Sequence, residues 1–435
     1  MTNAFQQQAL SLAEQQQSPS FLAPVRAQGA AQWAQAAWPD RRSESWKYTP
    51  LRSLQRQSLP HWGAQTELAL DQLPIIDHAQ AVRLVFVNGQ FSVALSDPGW
   101  PPELTLFSQA NSQQQAIIEQ HLGRHVDATH HLFAALSNAW VAEGVLLHVP
   151  AHTTLAVPLH VVHVSTPEAT PAAASHRLLV VLAAGAQATV VEQFVSTTAR
   201  QNGFVNSLTE LSLDAGARLD HSRLHLEQEH LTHVGGVHGD LARDAQLHAF
   251  TLAQGSVLKR IDYHLRHRGA GSFLRFNGVY LPYAQQLIDY HTNVEHCEPH
   301  GTTEQQFRGI IGDAARAVFN GRIHIHPDAQ KTLAEMNNRN LLLSDRAEVD
   351  TKPELEIYAD DVRCAHGATI TRPDATALYY LRSRGVSKQA AEAMLYSGFV
   401  NELIAEVGDE ATRTFLQAQL PHLLAHLTHS IGAQT

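Results

Sequence analysis

Between residues 141 and about 370 the apolar positions fall in short β-rich runs with no long helical period: "GVLLHVPAHTTLAVPLHVVHV", "HRLLVVLAAGAQATVVEQFV", "NSLTELSLDAGARLDHSRLHL" and "GVHGDLARDAQLHAFTLAQ". A small-residue corner recurs between runs, in "AAGAQA", "LDAGARL", "ARDAQL", "GDAARAV" and "SDRAEV". Its marker alanines are Ala186, Ala217, Ala245, Ala315 and Ala347, at gaps of 31, 28, 70 and 32. The period is roughly 30 residues, with the long gap spanning about two units. Irregular repeats of that size, each made of strands and corners, predict a β-solenoid. A β-sandwich is the rival. It accounts for frequent turns and leaves the longer period unexplained.

The flanks read differently. Before residue 140, "NAFQQQALSLAEQQQ", "AQGAAQWAQAAW" and "SQQQAIIEQHLG" are rich in helix formers, and the last ends on a glycine suited to a helix C-terminus. "RLVFVNGQFSVAL" places two alternating runs around Asn88-Gly89, a hairpin signal. After Ile370, "DATALYYLRSRG" predicts a helix from an Asp374 cap to Gly385. "SKQAAEAMLYSGFVNELIAEVG" then opens at Ser387 and sets Ala391, Leu395, Phe399, Leu403 and Val407 at four-residue steps, an apolar stripe that packs on its own core by default. A last helix over "TRTFLQAQLPHLLAHL" is kinked or divided at Pro421. The predicted organisation is therefore a mostly helical N-terminal domain with a small hairpin (1–140), a β-helix core (141–370) and a C-terminal helical domain (371–435). The fold class is mainly β, a solenoid flanked by α-helical segments.

Composition narrows the function classes. Hydrophobic residues at 44% and charged residues at 17% suit a globular chain, and no apolar run approaches the roughly 20 residues of a membrane span. No secretory signal opens the sequence, and two cysteines suit a reducing compartment, so a cytoplasmic protein is expected. A net charge of −10 argues against nucleic acid or an anionic membrane as partner. Walker A, GxGxxG and GxSxG patterns are absent. The 28 histidines are scattered, and strand or surface positions account for most.

Three places carry candidate chemistry. "GRIHIHP" sets His324 and His326 two apart, and "DYHTNVEHCEPHG" gathers His291, His296, Cys297 and His300; in both the structural reading stands ahead of a metal site. "YADDVRCAHGAT" holds Cys364 and His366. Read as one strand through "ELEIYADDVRC", it puts Leu355 and Ile357 on one side and Glu356, Tyr358, Val362, Cys364 and His366 on the other. Cys364 and His366 then project together, about 7 Å apart. They supply only two ligands. With the solenoid ending near them, an exposed last strand could bring a neighbouring chain to complete the set, although on spacing alone a buried cysteine and a satisfied histidine remain ahead.

Residues 337–370, "NNRNLLLSDRAEVDTKPELEIYADDVRCAHGATI", with "ALYYLRSRGVSKQAAEAML" after them and "GDAARAVFNGRIHI" before, resemble the shared core of the SufB/SufD family of iron–sulfur cluster assembly scaffolds. "RRSESWKYTPLRSL", residues 41–54, is similar to the N-terminal motif of the SufD branch, and the scarcity of cysteines agrees. The resemblance implies a β-helix over 141–340 and a non-catalytic scaffold subunit of the SUF complex. It implies pairing with a SufB-like subunit through the last strands, with His366 facing the partner's essential cysteine and Cys364 beside it. Asp360 and Asp361 could orient such a site as outer groups, although turn-forming aspartates stand ahead. It implies that helices carrying Tyr379, Tyr380, Leu381, Arg382, Arg384 and Gly385 hold a SufC-like ABC-type ATPase, which hydrolyses the ATP. No cofactor would be held tightly by the chain alone, only transient iron or a nascent cluster at the interface; flavin binding by the complex is left undecided. His291 and His296 are family-like without an assigned role, while His324, His326, Cys297 and His300 match no family pattern. The alternatives are a metal-dependent enzyme using His291, His296, His324 and His326, and a homodimer paired through the same edge.

Overall fold

A computed structural model of the chain describes residues 3–429 except 41, 60, 70, 72, 78–79, 128–130, 169, 199–201 and 228–229; Arg41 of the N-terminal motif and residues 430–435 thus lie outside the described residues. The N-terminal stretch forms α1 (Ala4–Gln15), α2 (Ala23–Gln35), the short α3 (Arg52–Arg56), strands β1 (His61–Trp62), β2 (Val82–Val87), β3 (Gln90–Phe91) and β4 (Leu104–Leu106), then α4 (Ser112–His121) and α5 (Leu132–Trp140). Capping boxes start α1 (Asn3 with Gln6) and α4 (Asn111 with Gln114). The hairpin turns at Asn88 and Gly89, both at positive φ (50° and 86°), as a type I′ turn requires. Its second arm is only two residues long.

The chain then coils. The strands are β5 (Val145–Val149), β6 (Leu159–Ser165), β7 (Ala172–Leu182), β8 (Gln187–Ser196), β9 (Asn202–Leu213), β10 (Arg218–His225), β11 (His230–Leu241) and β12 (Gln246–Gln254). They continue as β13 (Leu258–His267), β14 (Phe273–Leu281), β15 (Leu287–His296), β16 (Thr302–Ile311), β17 (Arg316–Ile325), β18 (Leu333–Leu342), β19 (Glu348–Ile357) and β20 (Arg363–Thr371). Odd-numbered strands build one sheet, ending at β19, and even-numbered strands build the other, ending at β20. Each coil strand pairs in parallel with the strand two places on, which sets Gln187 beside Arg218, then Gln246, Phe273, Thr302, Leu333 and Arg363. The result is a β-solenoid of about seven turns, as the repeat predicts; an antiparallel sandwich is excluded. Strands β1 to β4, from the first 140 residues, extend the same two sheets.

The corner alanines are buried behind the turns, at 0% exposure for Ala186, Ala217, Ala245 and Ala315. Their geometry corrects the reading of the long gap. Ala186, Ala217 and Ala245 follow odd strands, whereas Ala315 and Ala347 follow β16 and β18, on the opposite edge of the coil. The 70-residue gap therefore covers two and a half turns, and Gln286, whose N–H donates to Tyr283 O at 3.1 Å, occupies a corner without the small-residue signature.

Inward-facing residues of both sheets form one core, including Leu211, Val237, Tyr263, Phe276, Phe307, Phe319 and Met336. The N-terminal helices cover the outer face of the odd sheet through Phe5, Trp33, Phe133 and Trp140 on Ala173, Phe204 and Val234. Helices α6 (Ala375–Ser383), α7 (Lys388–Ala405) and α8 (Glu410–His429) follow the coil. The predicted stripe packs on its own protein in part: Ala391, Leu403 and Val407 are buried and Leu395 and Phe399 partly so. The contact with Leu224, Leu252, Val279 and Ile310 of the even sheet also takes in Val400 and Ile404, one position on from the stripe. Each such buried side chain contributes about 1.5–3 kcal/mol. Pro421 lies inside α8 without dividing it. Among the described residues no helix is long and apolar enough to cross a membrane.

Candidate functional site

Residues 358–369 do not form one strand. Tyr358 to Val362 turn the corner between β19 and β20, so Glu356 and Cys364 belong to different sheets. Within β20 the alternation holds: Cys364, His366, Ala368 and Ile370 pair with Ala334, Met336, Asn338 and Asn340 of β18. Ala334 and Met336 belong to the interior core, so Cys364 and His366 continue an inward-facing row where the coil stops. On the facing strand, Val349, Thr351, Leu355 and Ile357 pair with the inward row of β17, and Thr351 Oγ1 donates across the interior to Asn338 Oδ1 at 2.8 Å. Among the described residues neither strand has a neighbour on its outer side.

The open end is apolar and accessible. Ile357 and Ile370 are 41% and 48% exposed, and His366 is exposed between them along the two rows. Cys364 is half-buried against the core, and burial pushes its thiol above the ordinary range. Cys364 is therefore protonated at neutral pH. Asp361 serves the corner: its carboxylate pairs with Lys331, its N–H donates to Gln330 Oε1 at 2.9 Å, and its carbonyl accepts from Lys331 N at 2.6 Å. Asp360 is exposed on the same corner.

The four histidines of the enzyme alternative do not converge. His291 and His296 are five apart on β15 and face opposite ways. His291 bonds Asp289 at 3.1 Å on the outside; His296 is fully buried, stacks on His267 at 4.1 Å and bonds Thr303 Oγ1 at 2.9 Å. His324 and His326 lie together on the outer face, engaged by Glu356 at 2.9 Å and Glu295 at 3.4 Å. Cys297 joins Glu295 and His326, and His300 is an exposed corner residue at φ 63°.

At the C-terminal side, Asp374 caps α6 through Thr376 N at 2.8 Å, and Gly385 ends it at φ 88°. Helix α6 buries no residue; Tyr379 and Tyr380 are 75% and 57% exposed, Leu381 is half-buried, and Arg382 and Arg384 face solvent. At the opposite side the N-terminal motif straps the odd sheet. Arg260 donates to Ser45 O at 2.6 Å and lies 4.0 Å over the Trp46 ring, Thr49 donates to Asp289, and Glu44 meets Lys352 at 2.6 Å.

Beneath that strap lies a polar cleft of about 550 Å³, lined by Trp46, His131, His238, Arg260, Asp262 and Arg322 among others. Of its histidines, His291 is named by the sequence, whereas His131 and His238, with His264 beside them, escape sequence reasoning because they come from separate elements. His238 and His264 are 26 residues apart, one coil of the solenoid, and that spacing is the signal that could have found them.

The family model described as "SUF system FeS cluster assembly, SufBD core domain" matches residues 163–399, and "SufBD protein N-terminal region" matches residues 2–161. The chain is 33% identical over 402 residues to the iron–sulfur cluster assembly protein SufD of Escherichia coli K12, covering 91% of this chain and 92% of that protein. It is 30% identical over 380 residues to an iron–sulfur cluster assembly SufBD family protein of Synechocystis, at 85% and 84% coverage. To the SufD protein of Bacillus subtilis it is 24% identical over 417 residues, at 93% and 94% coverage.

Proposed function

Because the chain belongs to the SufBD family of iron–sulfur cluster assembly proteins, we propose that it is a non-catalytic scaffold subunit whose open solenoid end pairs with a second, SufB-like solenoid. The observation that carries this reading is the pair of uncapped edges, β19 and β20, whose inward rows are largely apolar, exposed at Ile357, His366, Ala368 and Ile370 and half-buried elsewhere. A free strand edge offers unpaired N–H and C=O groups to another strand, and the exposed rows offer it a core to continue. Iron and the nascent cluster are cargo here, assembled between the partner's cysteine and His366, with Cys364 beside it. A neutral imidazole suits ferrous iron.

The exposed α6, with Tyr379 and Tyr380 outermost, supports docking of a SufC-like ABC-type ATPase. ATP is hydrolysed there, and the resulting motion opens the interface between the two coils. Two free cysteines suit the cytoplasm as the place where this happens. The test is co-expression of the tagged chain with its SufB-like and SufC-like partners. One complex containing all three is the expected result. A chain that purifies only as a homodimer through the same edge, with neither partner retained, contradicts the proposal.

A further inference from the structure

A second constellation lies beside the cleft under the N-terminal strap, on the outer face of the odd sheet; two of its members, His131 and His238, line the cleft. We propose that His131, His238 and His264 form a three-histidine binding site for a divalent transition metal ion of borderline softness, zinc or ferrous iron. One side-chain nitrogen from each lies within 4.8 Å of the other two. The ring centroids are 4.7 Å apart for His131–His238, 5.4 Å for His131–His264 and 5.8 Å for His238–His264. Three imidazole nitrogens sharing a tetrahedral ion at 2.0–2.1 Å stand about 3.3 Å apart, within reach of small side-chain rotations.

The supports are independent of the cluster itself. His238 and His264 are adjacent across the β11–β13 ladder, so the rigid sheet presents both from one face. They are 2% and 8% exposed, and the Nδ1 atom of each is buried without a hydrogen-bond partner. Buried polar atoms are rarely left this way unless something binds them. His264 Nε2 is engaged at 2.9 Å by Glu295 Oε1, the carboxylate–histidine arrangement that orients metal ligands. His131 comes from the start of α5, so the N-terminal layer closes the site.

The cations nearby are already neutralised. Arg260 meets Asp262 at 2.8 Å and Asp289 at 3.0 Å, Arg266 meets Asp240 at 2.8 Å, and Arg322 meets Glu356 at 2.8 Å. A third group, His225, Glu227 and His233, is fully buried with Glu227 paired to Lys259, and the accessible rival, Glu295, Cys297 and His326, shares Glu295 and lies within the same limit. It is the weaker host. Glu295 is occupied by His264 and Asn293, the His326 side chain is 39% exposed, and burial pushes the Cys297 thiol up, against the thiolate a metal needs.

The site is separate from the open end and tested without partners. The full chain, stripped with a chelator, is titrated with Co²⁺ as an optical probe and Zn²⁺ in competition. One Co²⁺ per chain is expected, with visible d–d bands and no thiolate-to-cobalt charge transfer. Affinity should fall about tenfold or more in His238→Gln and in Glu295→Gln, and be unchanged in Cys297→Ser. His131→Ala, in the covering layer, should weaken binding likewise, with circular dichroism confirming the fold of each variant. The proposal is overturned by a folded chain that takes up no stoichiometric Co²⁺, by histidine variants that bind normally, or by a thiolate band that Cys297→Ser removes. None of these outcomes bears on cluster loading at His366, so the two readings fail separately.

Discussion

Arg177 shows how a single buried charge joins two layers. Its guanidinium donates to Ser137 Oγ and Asn138 Oδ1 of α5, both at 2.8 Å, and pairs with Glu210 of β9, with both charged groups excluded from solvent. Glu210 in turn accepts from Gly123 N at 2.8 Å and His125 N at 3.1 Å. Arg177→Ala leaves that carboxylate buried and unpaired, and about 3–5 kcal/mol of stability should be lost, read as a lower denaturant midpoint. At this scale the sequence was legible where alternation is unbroken. Cys364 and His366 share a face as their spacing requires, whereas Tyr358 was misplaced because a corner, held by Asp361 and Lys331, interrupts the run. His131, His238 and His264 were hidden for another reason: contacts across a coil are set by register, which appears only as the one-coil spacing of His238 and His264 and in no local pattern near His131.

Strand β20 carries the element-scale argument. The Arg363 N–H donates inward to Thr332 O at 2.9 Å, so by alternation the N–H groups of Cys364, His366, Ala368 and Ile370 point to the open edge. Proline is tolerated on an edge strand where its missing donor faced outward. Ala368→Pro should therefore leave the far-ultraviolet spectrum of the isolated chain unchanged while reducing recovery of the SufB-like partner in a pull-down. Normal recovery would take β20 out of the interface. The existence of the coil was readable from corners such as "LDAGARL", because a fully buried small residue and a left-handed neighbour such as Gly216, at φ 68°, are demanded wherever the strands turn sharply. Its phase was not. Gln286 fills a corner with no small-residue mark, which hid the switch from one edge of the coil to the other.

For the whole molecule, the buried histidines make stability depend on pH. Burial holds His163 and His267 down at about 3, and His176, His225 and His296 well below the ordinary 6.5. A histidine whose folded-state value is depressed contributes stability that is fully present above its unfolded value and is lost as pH falls from 6.5 toward the folded value. Each contributes a slope of up to about 1.4 kcal/mol per pH unit across that window. Urea midpoints should therefore fall steeply between pH 7 and 5.5, before the carboxylates titrate. A flat midpoint over that range would show these imidazoles to be solvated. The two sheets and the covering helices leave one end of the coil uncapped, and the proposed function makes that end half of an assembly surface with His366 as its donor. The most direct test is His366→Ala in the chain co-expressed with its SufB-like and SufC-like partners, reading complex mass beside iron content and visible absorbance. An intact complex that carries no cluster is the expected result; an intact complex with normal cluster loading would remove His366 from the assembly site.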